Sequence, residues 1–268
     1  MGIRPKILLL VLAAILFCHP AYPAEQFGTV NDISGSAVVS DQSGQTAAVA
    51  VGTKIFEGQT INSGPDGEVI IITEDGAIIA VRPDTVFHVD EYRAEGGSAD
   101  KIFMSLFRGA IRSITGWIGK HSPSSYLITT PTATIGIRGT DHETVVVEKD
   151  EGDQPGTYDT VNSGSTILTT LQGKIEVKPG NFAFAPRDRP MAPFFLKRRP
   201  HFMASRKLRI EQHVRQRRDF LRGRLEQMRK TRIQKMKTIR ERRLNQLQQG
   251  EKRREARSQL ERRREMRR

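Results

Sequence analysis

The chain has 268 residues, 27% of them charged, and a formal net charge of +13 at pH 7. This length suffices for one packed domain with an appendage and does not require two globular domains. The composition includes a single cysteine, which excludes a scaffold held together by disulfides within the chain.

The first 24 residues have the layout of a secretory signal peptide. Arg4 and Lys6 precede an apolar run from Ile7 to Phe17, and small or turn-forming residues follow up to Ala24. The run is shorter than the roughly 20 apolar residues that a helix needs to cross a bilayer. We therefore expect residues 1–24 to be removed, and the mature chain to be exported, periplasmic or secreted, without a transmembrane segment.

Charge divides the mature chain into two parts of opposite sign. Residues 25–192 contain 13 Lys+Arg and 22 Asp+Glu, a net charge of −9, whereas residues 193–268 contain 28 and 8, a net charge of +20. Such an asymmetry predicts a conventional domain that carries a tail for binding polyanions or charged surfaces.

Short apolar blocks bounded by turn-forming residues predict a β-rich domain over residues 25–185. The clearest hairpin joins Val69–Thr73 to Ala77–Val81 through Glu74, Asp75 and Gly76, because glycine tolerates the positive φ of a tight turn. Many short strands without helical periodicity predict a mainly β fold, either a sandwich, a barrel or a β-solenoid. Further strands are predicted at Ala37–Ser40, Val86–Asp90, Lys101–Leu106, Ala110–Ile114, Tyr126–Thr129, Thr144–Glu148, Ser165–Thr170 and Lys174–Lys178.

The segment from Thr130 to Thr140 reads TPTATIGIRGT, and an ordered set of upstream turn residues accompanies it. That set comprises Gly28, Gly35, Gly52, Gly58, Ser63 to Gly67, Glu74 to Gly76, Leu106, Gly109 and Ala110. Over about Phe27 to Val147 this combination resembles the FecR domain, the periplasmic module of regulators that govern iron-transport sigma factors. The resemblance implies an all-β module in the envelope that senses a ligand or a protein. Those regulators also carry a cytoplasmic anti-sigma segment and a transmembrane helix before the domain, which we do not find here, so the resemblance is extended to the domain and not to the pathway.

Within this motif, Pro131, Gly136, Gly139 and Thr140 are interpreted as structural, because proline fixes φ and glycine allows turns or close backbone approach. Arg138 has two interpretations. It either ties loops together as a paired, partly buried arginine, which is the favoured interpretation, or it binds a ligand.

An aromatic and basic surface for sugars or peptides is the candidate binding site. Trp117, flanked by Gly116 and Gly119, is its aromatic member, and it is interpreted equally as a core residue or an exposed contact. The basic members are Arg108, Arg112 and Arg138.

The sequence offers little for catalysis or metal binding. In a strand, Asp141 and Glu143 point to one side and His142 to the other, so the three cannot converge on one ion without a bulge. A Gly-x-Ser-x-Gly nucleophile motif does not occur. We therefore expect no enzyme activity, no metal and no cofactor.

Beyond the β domain, prolines and basic residues predict a linker over residues 186–203, and a proline-free, Arg-rich composition predicts a long helical tail over 204–268. Its apolar residues Val214, Leu225, Met236 and Leu247 recur every 11 residues and form a narrow stripe. The stripe predicts pairing with another helix, including self-association, and the charge predicts an acidic partner. Sequence-specific DNA binding is not expected, because the tail offers no scaffold for reading bases.

Two functions follow from these features. The first is a non-enzymatic periplasmic sensing or binding protein, whose β module recognises a protein or another envelope component and whose polybasic tail localises the molecule or couples it to a partner. The alternative is a secreted protein that binds polyanions or nucleic acid mainly through the tail.

Overall fold

The computed structural model describes residues 24–121, 123–149 and 152–202, together with 230–231, 233–235, 237–242, 244 and 248–249. Nearly all of the predicted signal peptide, and most of the predicted tail, lie outside the described residues. Within the described residues, no helix has the length and apolar character needed to span a bilayer.

The described chain from Gln26 to Phe195 is mainly β, as predicted. In chain order the strands are β1 (Gln26–Ser34), β2 (Ala37–Ser40), β3 (Thr46–Ala48), β4 (Lys54–Phe56), β5 (Thr60–Ser63), β6 (Glu68–Thr73), β7 (Ile78–Val81), β8 (Val86–Arg93), β9 (Lys101–Ile114), β10 (Tyr126–Thr129), β11 (Thr134–Val147), β12 (Gly156–Thr170), β13 (Gly173–Val177), β14 (Phe182–Pro186) and β15 (Phe194–Phe195). A short helix α1 (Ile118–His121) and a 3-10 turn (Pro123–Ser125) lie between β9 and β10.

All fifteen strands belong to one continuous open sheet, which folds back on itself into two layers. The first layer runs β4, β1, β6, β7, the second half of β9, the second half of β11, the first half of β12, β14 and β15. The second layer runs β3, β2, β5, β8, the first half of β9, β10, the first half of β11, the second half of β12 and β13. Of the architectures left open by the sequence, the structure shows a single open sheet whose two halves face each other.

Glycines in left-handed conformations lie where the long strands pass from one layer to the other. Gly109 in β9 has φ +83 and Gly164 in β12 has φ +81, values that L side chains rarely adopt. Gly164 also faces β11 so closely that an added Cβ would lie 2.2 Å from the carbonyl oxygen of Gly139. Because neither position accepts a side chain, glycine is what lets these strands bend without ending.

One hydrophobic core fills the space between the layers. Phe27 of β1 contacts Phe87 and Tyr92 of β8, with ring centroids 6.2 and 5.2 Å apart, so the first layer meets the second across this core. The apolar residues of β6 and β7 that face inward, such as Ile71 and Ile79, are fully buried in it. Because many large apolar side chains are buried between the layers, the hydrophobic effect is the main contribution to the stability of the fold.

The predicted hairpin is confirmed. β6 and β7 pair antiparallel from Val69 with Val81 to Ile72 with Ile78, and Gly76 in the turn has φ +76. The turn residue Asp75 is fully buried, and its N–H donates to the hydroxyl of Tyr92 at 2.7 Å. The hairpin is thus fixed at its tip to the second layer.

The segment after β14, predicted as a linker, packs on the first layer in the part that the structure describes. Phe194 pairs with Phe184 of β14, and the N–H of Leu196 donates to the carbonyl of Phe182 at 2.8 Å. The carboxylate of Asp153 accepts the N–H groups of His201 and Phe202 at 3.0 and 2.9 Å.

The long basic helix predicted for residues 204–268 is not supported as a whole. The described positions between 230 and 249 are helical, and the rest of the predicted helix lies outside the described residues.

The bend at Gly164 provides a test of this architecture. We expect Gly164→Ala to lower the free energy of unfolding by the cost of a left-handed alanine, about 1–2 kcal/mol, plus about 1–3 kcal/mol for overpacking against Gly139. Gly52→Ala is the matched control, since Gly52 has φ +90 but open space around it. Urea unfolding of the two variants separates the backbone cost from the cost of overpacking. Equal losses of unfolding free energy in both variants would show that β12 does not bend against β11.

Candidate functional site

From Thr134 onward, the Thr130–Thr140 motif forms the first half of β11, in which buried residues alternate with more accessible ones. Ala133, Ile135 and Ile137 point into the core and are at least nine-tenths buried. Thr134, Gly136 and Arg138 therefore lie on the outer face of the second layer, because successive residues of a strand point to opposite sides.

A row of hydroxyl side chains crosses this outer face. Ser105 of β9 is in register with Thr129 of β10, which is in register with Thr134 of β11, and Thr134 with Thr169 of β12. Neighbouring strands are about 4.8 Å apart, so the four hydroxyls are evenly spaced across the sheet.

An apolar row runs parallel to the hydroxyl row, and on each strand its member is two residues away from the hydroxyl residue. It consists of Phe103, Leu127, Gly136 and Ile167, which occupy successive strands in register. An added Cβ on Gly136 would find no atom closer than 3.8 Å, so the sheet surface is open there. Ile167 is 42% exposed. We call these two rows together the threonine face.

The outer face of the first layer is closed by comparison. The ring of Tyr158 stacks on Phe184 at 4.4 Å, and Phe202 contacts Tyr158 edge-on at 5.1 Å. Beside these rings, buried Arg82 pairs with Glu68 at 3.2 Å and lies 3.6 Å from Glu143. Aromatic stacking and ion pairs thus occupy the first layer, and they leave the threonine face as the open sheet surface.

The structure places the predicted basic residues apart. Arg108 and Arg138 are both exposed on the second layer, but at opposite ends of the paired strands, roughly 20 Å apart at about 3.3 Å per residue. Arg112 lies on the first layer. The exposure of Arg138 corrects the favoured interpretation of it as a buried arginine that ties loops together.

Arg112 forms a two-pronged ion pair with Asp141. Its Nε and one terminal nitrogen donate to the two carboxylate oxygens at 2.8 and 2.7 Å, and Asn162 donates to the same carboxylate at 3.2 Å. Burial by itself would raise the pKa of Asp141, but the hydrogen bonds and charge of Arg112 outweigh it and lower that pKa. The geometry assigns Arg112 a role in joining β9 to β11.

Trp117 is half-buried and packs against the main core, and its backbone N–H donates to the backbone carbonyl of Asp75 at 3.2 Å. Burial raises the pKa of Asp75, and an added Cβ on Gly116 would lie 2.2 Å from its carboxylate. The chain after β9 therefore passes directly over the hairpin turn. The four residues predicted as one aromatic and basic surface do not form one in this fold, and a binding role for each stays a prediction.

The residues predicted as structural lie around β11. Pro131 is exposed in the turn before the strand, and Gly136 opens the threonine face. Gly139, with φ +61, lies at the bend beneath Gly164, and buried Thr140 accepts the N–H of Thr115 at its carbonyl. Both bend residues thus act through the backbone.

A Ser, His and Asp set occurs in the core. His142 of β11 is in register with Ser113 of β9, and its Nδ1 lies 3.0 Å from a carboxylate oxygen of Asp159. The hydroxyl of Ser113 is instead 2.7 Å from that of Tyr126, and His142 and Ser113 are fully buried. Without access for a substrate, this set joins the layers. The opposite orientations predicted for His142 and its neighbours are confirmed, and among the described residues no three His, Cys, Asp or Glu are grouped to hold a metal ion.

Sequence reasoning missed most of the threonine face. Thr129, Thr169, Leu127 and Phe103 belong to no recognised motif. The available signal was the alternation in TATIGIR, where every second residue is apolar and buried.

Comparison with known families identifies the domain. The family model described as FecR protein matches residues 59–176. The chain contains a FecR domain. The matched range runs from just before β5 into β13, so it includes every residue of the threonine face. The match of residues 59–176 to this family model supports a sensing or signalling role.

Solved structures give weaker likenesses. Two crystal structures of "a putative anti-sigma factor" from Parabacteroides distasonis are 10% and 12% identical, with TM-scores of 0.42 and 0.43; each match covers 55% of this chain and 63% or 62% of the other. A "Cell surface anchoring domain" is 29% identical over 23% of this chain and 82% of its own, with a TM-score of 0.23. The chain thus spans just under two thirds of the two anti-sigma structures. No curated protein matches the sequence.

The ion pair predicts a pH-dependent contribution to stability. Because the pKa of Asp141 is lowered in the folded state, the ion pair stabilises the fold fully above the ordinary Asp pKa of 3.8. That stabilisation is lost as the pH falls from 3.8 through the lowered pKa. We expect Arg112→Met to lower the free energy of unfolding by about 1–3 kcal/mol at pH 7. This loss should shrink as the pH falls below 3.8, because the wild-type protein loses the ion pair there as well.

Arg138→Met is the matched control, because Arg138 is exposed, and it should cost little at any pH. Urea unfolding over a pH series measures both variants. A loss for Arg112→Met that is the same at every pH would contradict the ion-pair assignment.

Proposed function

We propose that this protein is a non-enzymatic sensing or binding protein of the bacterial envelope whose FecR domain recognises a partner protein through the threonine face. FecR proteins are associated with the envelope, which agrees with the predicted signal peptide. The observation that carries the proposal is the open second layer, where a hydroxyl row and an apolar row lie side by side.

The shape of this surface favours a protein over a small molecule. Small ligands are usually bound in concave pockets, whereas the threonine face is part of a sheet surface that runs from β2 to β13. The whole outer face of the second layer, with eight strands at about 4.8 Å and about five residues per strand, has an area of roughly 600 Å², and the threonine face lies on four of those strands. That area approaches the roughly 800 Å² that each partner buries in a standard protein interface.

The composition of the face is also suited to specific contact. Ile167, at 42% exposed, and Phe103 offer apolar surface, and the hydroxyls of Thr134 and Thr169 can donate and accept hydrogen bonds. Apolar surface provides affinity, while evenly spaced hydroxyls determine register and orientation.

The basic residues of 193–268 are proposed to localise the molecule or couple it to a partner. With 28 positive and 8 negative side chains, this part of the chain cannot neutralise itself. The same imbalance favours a second function, in which the protein binds polyanions through the tail and the FecR domain only supports it.

One capture experiment separates the two functions. The chain from Glu25 onward is used to recover proteins from envelope extract at low and at high salt, as wild type and as Ile167→Glu. We expect a partner whose recovery survives high salt and falls at least tenfold in Ile167→Glu, because a charge is placed in the apolar row.

Val51→Glu is the control, since Val51 is 63% exposed and lies in the turn before β4, off the threonine face. Equal recovery with both variants would reject the threonine face as the binding surface. Components whose recovery falls steeply as the salt concentration rises, equally with both variants, would support the polyanion function instead.

A further inference from the structure

Exposed apolar side chains are concentrated in the C-terminal part of the β structure. Among the described residues of 24–202, eight large hydrophobic residues are exposed, and four of them lie between positions 171 and 195. These four are Leu171, Met191, Phe194 and Phe195. Isolated exposed residues are normal on a protein surface, but a cluster of them calls for a physical explanation.

Leu171 and Met191 lie at one end of the sheet. Leu171 is at the tip of the turn between β12 and β13 and is 100% exposed. The neighbouring Thr170 donates its hydroxyl to the carbonyl of Met191 at 3.1 Å, which holds Met191, itself 43% exposed, beside the turn. Two apolar side chains from separate parts of the chain therefore project together.

Positive charge lies beside this end. Arg187, Asp188 and Arg189, in the segment that leads to Met191, are all exposed. Lys174 of β13 adds a further exposed cation near the tip. We call Leu171, Lys174 and residues 187–192 the basic end.

We infer that the basic end contacts the surface of an anionic lipid bilayer. Apolar side chains that project among cations match the interfacial region of such a membrane, where hydrocarbon lies just below anionic headgroups. Leu171 and Met191 enter the boundary between headgroups and acyl chains, while Arg187 and Arg189 remain with the phosphates.

The exposed leucine distinguishes a bilayer from a soluble polyanion. A polyanion such as heparin attracts the cations but offers no apolar medium, so Leu171 gains nothing from it. In a bilayer, the same side chain leaves water and adds to the electrostatic attraction. This contact adjoins the threonine face, since Lys174 is in register with Thr169, but it does not depend on what that face binds.

The inference is tested by sedimentation of the chain from Glu25 onward with vesicles of phosphatidylcholine plus phosphatidylglycerol, and by its binding to heparin. We expect Leu171→Ser to weaken vesicle binding by about tenfold and to leave heparin binding unchanged, because only a bilayer buries the leucine. Arg187→Gln with Arg189→Gln should weaken both. Val51→Ser, at an exposed position in another turn, should change neither.

A second readout reports insertion directly. The chain after residue 24 has no cysteine, so Leu171→Cys and Val51→Cys can each carry one environment-sensitive dye. On adding anionic vesicles, the dye at position 171 should report a less polar environment and the dye at 51 should not. Equal effects of Leu171→Ser and Val51→Ser on vesicle binding, or unchanged dye emission at position 171, would overturn the inference.

Discussion

The whole architecture depends on long strands that bend without ending. At Gly164 the chain takes a left-handed conformation directly against the carbonyl of Gly139, a position with no room for a side chain. Gly109 makes the same change of direction in β9, where an added Cβ would lie 2.3 Å from the hydroxyl of Thr85. Because the strands continue past these bends, with only a local shift of register where β11 meets β12, one sheet can enclose one core.

The two outer faces of this folded sheet differ in how far they are covered. On the first layer, Tyr158, Phe184 and the returning segment with Phe202 cover apolar surface, and Arg82 and Arg112 are held by carboxylates. On the second layer the hydroxyl and apolar rows of the threonine face remain open. We propose that recognition uses the open second layer, and the range matched by the FecR model contains strands of both layers.

Sequence reasoning succeeded where structure is local. The Asp75-Gly76 hairpin, β2 and β10 were predicted because turn chemistry and short β-branched runs determine them. Sequence reasoning failed where the structure depends on which residues of distant strands pair with each other. β9 was divided at Gly109 into separate strands, since a glycine that bends a strand looks in sequence like one that ends it. The pairing of Arg112 with Asp141 joins residues 29 positions apart and depends on how β9 meets β11.

The threonine face illustrates the same limit. Each of its strands contributes only two residues, and their alignment exists only once four strands are in register. The polar identity of Arg138 was clear, but its exposure follows from the side of β11 on which it lies. Alternation with buried Ile135 and Ile137 fixes that side, so a strict period-two reading of the motif would have placed it correctly.

The central claim is that the threonine face is covered by a partner in the envelope. Thr169→Cys on this face and Thr46→Cys on β3, each the single cysteine of the chain after residue 24, can be labelled with a maleimide in purified protein and in intact envelopes. We expect both to react in purified protein, and in envelopes only Thr46→Cys to react fully while Thr169→Cys is protected. Equal labelling of the two positions in envelopes would contradict the account.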